Sequence, residues 1–213
     1  MEPDPRTEFL AELVTTPAGR RHMLSIAVDA EEGDEGHIFD QLADCVDDPK
    51  LRRLVVRHRD DEVRHAGLFR GCLDRLGFEH QPIPDDVKII RQIAKAVGGS
   101  GRGVQTVDDV VATYAMLLAI EERGVEQFPL IADAFRAVDP ETSEVYLRVA
   151  RDERGHVRYC ETIGRHYAGD DDVWQQVVAA TRALEAAAFE ATSIANVNYC
   201  IERGWVHAGA AVA

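Results

Sequence analysis

The sequence predicts an all-α fold: a four-helix bundle with a long crossover between helices two and three, plus an additional C-terminal helix. Three observations predict it. Ala, Arg, Glu and Leu are abundant among the 213 residues, a helix-forming composition. Apolar residues recur at steps of three and four over several long segments. Proline and glycine fall mostly between those segments. With 46 % hydrophobic residues the chain fits one domain, 1–213, with a sizeable core. The four bundle helices occupy 18–167 and the last helix 171–203.

Taken in order, residues 6–14 read as a short helix ended before Pro17. Residues 18–46 read as one long helix, with Leu24, Val28, Ile38, Leu42 and Cys45 at helical spacing. Asp47-Asp48-Pro49 closes it and starts a helix over 50–76, ended by Gly77. Its seam is Leu51, Val55, His58, Glu62, His65, Phe69, Cys72 and Leu76, apolar at both ends and polar in the middle. Residues 78–106 form the crossover, with a short amphipathic helix over 85–97 and a glycine-rich linker over 98–103. A third helix covers 107–137, capped by Thr106 or Asp108, and Pro129 within it predicts a kink or break. Asp139-Pro140 starts a fourth over 140–167, with seam Tyr146, Val149, Glu153, His156, Cys160, Ile163 and Tyr167.

Two copies of one pattern carry the chemistry. Asp61-Glu62-Val63-Arg64-His65 and Asp152-Glu153-Arg154-Gly155-His156 each place Glu and His three residues apart, on one helix face, where both reach one metal ion. A chain of this composition yields about one Glu-x-x-His by chance. Two copies, each with a leading Asp and each 13 residues after an Asp-Pro, form an internal repeat. A two-metal carboxylate site needs one further carboxylate from each remaining helix. Glu121 is chosen on helix three because Tyr114, Leu117, Leu118, Val125 and Phe128 share its stripe, and a carboxylate there is costly unless paired. Glu122 is its rival. On helix one Glu32 is chosen, with Val28 one turn before it and Phe39 seven residues on. Glu35 is nearly as well placed, and Glu31 stays open. The metal ligands expected are therefore Glu32, Glu62, His65, Glu121, Glu153 and His156.

A metal-bound imidazole needs its other N–H held by an acceptor. Asp152 is expected to orient His65, and Asp61 to orient His156. His58, one turn before Glu62, is a core-edge histidine, an added ligand or a proton carrier. The alternative for the whole cluster is ion pairing with Arg59, Arg64, Arg151, Arg154 and Arg158. Six ionisable groups on interior stripes would cost too much that way.

Composition limits the rest. A net charge of −14 argues against tracking nucleic-acid phosphates. The longest apolar run, Val110 to Ile120, is too short for a membrane span, and no signal peptide is visible. Cys45, Cys72, Cys160 and Cys200 form no Cys-x-x-Cys and read as buried thiols of a reducing, cytoplasmic protein.

At these residues the chain resembles the ferritin-like di-iron carboxylate superfamily, over about residues 20–167. Arg151-Asp152-Glu153-Arg154-Gly155-His156 is similar to the fourth-helix motif of bacterioferritins, and Leu118-Ala119-Ile120-Glu121 followed by Gly124 resembles their third helix. Glu32, Phe39, Leu42 and Ala43 resemble the first helix of cyanobacterial aldehyde-deformylating oxygenases. The resemblance implies two Fe ions, with Fe/Mn or Mn/Mn as variants, that react when reduced with dioxygen or peroxide and are fed by an external electron donor. An oxygenase or oxidase of a small organic substrate is the first expectation. The crossover and last helix could wall a pocket, and Phe39, Phe69, Tyr114 and Phe128 lie near the metal level. The alternatives are a ferroxidase or other iron-handling protein, and a rubrerythrin-like peroxide reducer. A homodimer is one option for the assembly.

Overall fold

The computed structural model describes residues 5–32, 35–97 and 103–207, those at 5, 35 and 36 as backbone only. Every regular element among them is helical: α1 (Pro5–Leu13), α2 (Pro17–Glu32), α3 (Glu35–Cys45), α4 (Pro49–Arg75), α5 (Ile89–Ala96), α6 (Val107–Phe135), α7 (Pro140–Ala168) and α8 (Asp171–Glu202). A single 3-10 turn, Asp85–Val87, precedes α5. None of these helices is long and apolar enough to cross a membrane.

Local chemistry sets the helix starts. Asp48 accepts hydrogen bonds from the Lys50 and Leu51 amides, with Pro49 at the first helical position of α4. Asp139 does the same for α7, accepting from Thr142 N ahead of Pro140. Thr106 and Asp109 form a reciprocal capping box on α6, and Asp170 caps α8. Gly169 ends α7 at φ 69°, a left-handed conformation that a Cβ would strain.

The helix expected over 18–46 is described as α2 and α3, with Gly33 and Asp34 between them outside the described residues. One expectation is corrected. Pro129 does not break α6, which runs unbroken to Phe135. Phe128 packs against Phe69 and Tyr146, and Ala132 and Phe135 are fully buried beyond the proline. That packing holds the last turns against a local cost of about 3 kcal/mol. The glycine-rich linker falls largely outside the described residues, at 98–102.

Two apolar cores divide the molecule. One gathers Leu13, Leu24, Val28, Phe69, Phe135 and Tyr146. The other gathers Phe39, Leu42, Val55, Tyr114, Leu118 and Trp174. Tracing the chain through them gives the topology. From α2 to α3 it runs from the first core to the second, α4 runs back, α6 runs parallel to α4, and α7 returns. The segment between α4 and α6 therefore carries the chain the length of the molecule. In α4 and α7 the stretch between the cores is polar, and this layer is the site. Trp174 of α8 is fully buried over Gly164 of α7, where a Cβ would lie 2.2 Å from its ring.

Candidate metal centre

Between the two cores seven ionisable side chains meet, all of them buried: Glu31, His58, Glu62, His65, Glu121, Glu153 and His156. They form two abutting sets. His58, Glu62, Glu121 and His156 make one; Glu31, Glu62, His65 and Glu153 make the other, and within each set the ligating atoms lie within 4.8 Å of one another. Glu62 belongs to both. Glu153 also faces both, with Oε1 3.3 Å from His65 Nδ1 and Oε2 2.8 Å from His156 Nδ1. In the first set His58 Nε2 lies 2.9 Å from Glu121 Oε1, and His156 Nδ1 lies 3.1 Å from Glu62 Oε1. In the second, His65 Nδ1 lies 3.2 Å from Glu31 Oε2.

Five of the six expected ligands thus stand in the layer. The sixth does not. Glu32 has a side chain 41 % exposed and pairs with Arg70 on α4, whereas the Glu31 side chain is 5 % exposed and points inward. Neighbouring residues on a helix point about 100° apart, so only one of them can face the layer. Glu31 was legible from Leu24, Ala27 and Val28, buried one and two turns before it on one stripe. Glu35 opens α3, and its side chain lies outside the described residues. Glu122 turns away from the layer to Arg182 on α8. His58 stands in the layer itself, with its ring centroid 4.0 Å from that of His156.

The leading aspartates sit behind the histidines, each across from the other motif. Asp152 Oδ2 lies 3.4 Å from His65 Nε2, and Asp61 Oδ2 lies 3.5 Å from His156 Nε2. The Nδ1 atoms are thereby left to face the carboxylates. Sequence reasoning missed the residue that ties these two pairs together. Arg64 Nη2 donates to Asp61 Oδ1 at 2.7 Å and to Asp152 Oδ2 at 3.0 Å. The signal was present, since Arg64 lies three residues after Asp61.

Electrostatics show what the layer lacks. Among the described residues no Lys or Arg pairs with any of the four carboxylates, which meet only three imidazoles. Burial, and then Glu62 and Glu153 nearby, push the Glu31 carboxyl well above its ordinary range. Burial and Glu153 likewise lift Glu121 to about 7. Burial would raise Glu62 too, but hydrogen bonds from His156 and His58 outweigh it and bring it down to about 2. Glu62 Oε1 nevertheless has no hydrogen bond of good geometry, and neither does His58 Nδ1. A cation would relieve these buried like charges, and the two sets could hold metal ions.

The four cysteines are free thiols, Cys160 buried one turn beyond His156. Comparison of the chain with protein families, curated proteins and solved structures finds no match.

Proposed function

We propose that this chain is a two-metal carboxylate protein of ferritin-like type, holding two iron ions, or an Fe/Mn or Mn/Mn pair, and acting as an oxidoreductase on a small organic substrate. One observation carries the reading: two ligand sets that share Glu62 and lie between sealed apolar cores. In this reading α2 with α3, α4, α6 and α7 are the four ferritin-like helices, and the segment between α4 and α6 is the crossover.

The chemistry that a bound metal pair would supply is electron transfer to dioxygen or peroxide, with electrons from an external donor. The chain's own groups do the rest. Glu62 and Glu153, each facing both sets, fix the separation of the two positions. Glu31 and His65 complete one position; His58, Glu121 and His156 complete the other. The second position is richer in nitrogen, so the two are unequal. Asp152 and Asp61 hold the histidine rings in one orientation, and Arg64 holds the aspartates. Phe39 against His58, and Phe69 in the core below, keep water from the layer. Supporting substrate oxidation over iron storage is the extra material: α8 lays 32 residues along the outer side of α6.

Metal counting tests the reading. Anaerobic loading with Fe²⁺ should give two ions per chain by plasma mass spectrometry, with a clear loss in Glu62→Ala and Glu153→Ala. Fewer than two ions in the parent chain, unchanged by either substitution, removes the metal argument. A 24-subunit particle in solution would move the reading to iron storage.

A further inference from the structure

An open cleft of about 780 Å³ lies outside the metal layer, where α6, α7 and α8 meet. Its apolar lining is Ala119 and Val125 of α6, Val157 of α7 and the exposed Ala186 of α8. Its polar lining is four arginines and three glutamates, a net positive set in a chain of net charge −14.

The arginines divide into two kinds. Arg123 donates to both oxygens of the buried Glu185, at 3.1 and 2.9 Å, and its guanidinium lies 4.2 Å from the Phe189 ring centroid. Arg182 donates to Glu122 at 2.8 Å. These two are committed to joining α6 to α8, and they neutralise the wall. Arg154 and Arg158 are different. Both are exposed, they sit one turn apart on the same face of α7, and among the described residues neither makes an ion pair. The cleft therefore offers an apolar wall and two guanidinium forks with no ion-pair partner among the described residues, the groups that recognise a carboxylate.

We propose that this cleft binds an organic anion: a small molecule with a carboxylate head held by Arg154 and Arg158 and an apolar body laid on Ala119, Val157 and Ala186. The volume is that of an ordinary small-molecule site. The site does not depend on the metal reading, and its test uses the metal-free chain.

Calorimetric titration with octanoate, 1-octanol and inorganic phosphate separates the contributions. Octanoate should bind, with octanol and phosphate each at least about tenfold weaker, because each lacks one half of the recognition. The pair Arg154→Gln and Arg158→Gln should weaken octanoate by at least about tenfold. Ala186→Phe places a ring over the apolar lining, keeps every charge and should abolish binding. Circular dichroism checks that both variants fold. No octanoate binding, equal binding of octanol or phosphate, or unchanged affinity in either variant would overturn the proposal.

Discussion

Replacing Glu31 by Gln should have opposite effects on the metal-free and metal-loaded protein, and replacing Glu32 should have neither. In the absence of metal, Glu31 sits with Glu62 and Glu153 in one set whose ligating atoms lie within 4.8 Å of one another. Two unit charges at that distance repel by about 3 kcal/mol at an effective dielectric of 20. Repulsion and burial are what lift the Glu31 carboxyl well above its ordinary range, and protonation limits the penalty to less than the full repulsion. Glutamine keeps the shape and removes the charge. Metal-free Glu31→Gln should therefore be more stable by about 1–3 kcal/mol, which for a chain of this size raises Tm by roughly 2–8 °C.

With metal the sign reverses. A lost partner behind a metal ligand already weakens binding by about 10- to 100-fold, and a lost ligand should weaken it by at least the upper figure. Glu32→Gln removes only a surface pair with Arg70, worth no more than about 1 kcal/mol. Thermal unfolding by circular dichroism, with chelator and with Mn²⁺, reads both effects. A metal-free Glu31→Gln that melts several degrees below the parent would refute the argument. So would a Glu31→Gln that keeps two ions while Glu32→Gln loses one.

Arg64→Gln should weaken both metals by about 10- to 100-fold in chelator competition, because one guanidinium holds both aspartates; its helix content should not change. His58→Phe should weaken the ion of the Glu121–His156 set and spare that of the His65 set, read as a biphasic loss on titration with chelator. Asp139 gives a pH dependence. Burial would raise its carboxyl, but Arg75 and Thr142 outweigh that and hold it below 3.8. Its contribution is thus present above pH 3.8 and lost as pH falls from 3.8 through the lower folded value. Asp139→Asn should flatten that part of the acid-unfolding curve in urea titrations. Gly164→Ala should destabilise by about 1–3 kcal/mol, since the new methyl meets the buried Trp174 ring; an unchanged Tm would show that α8 shifts at no cost.

Features set by neighbours in the chain were legible. Asp48-Pro49 and Asp139-Pro140 read as helix starts because an Asp side chain caps amides two and three residues on, whatever surrounds it. The polar middle of the α4 and α7 seams was legible for a similar reason: four- and three-residue steps place side chains on one face before any packing is known. What escaped depended on distant contacts. Nothing near Pro129 announces that Phe69 and Tyr146 will clamp the turn around it. The segment over 85–97 was expected as one helix, whereas a 3-10 turn and α5 share it.

The choice between Glu31 and Glu32 shows where stripe reasoning fails. Glu32 was preferred because Phe39 lies seven residues on, and Phe39 is indeed buried. Gly33 and Asp34, between the two, lie outside the described residues, and the Glu32 side chain turns out to Arg70 while Phe39 packs in the second core. Companions on the N-terminal side, Leu24, Ala27 and Val28, share a continuous helix with the candidates, and they point to Glu31. His58 follows the same logic from the other direction. Its seam is unbroken from Leu51 to Cys72, so its inward position was sound, but its partner is Glu121, 63 residues away on α6. A seam fixes which side chains enter the layer; only the register between helices decides which of them meet.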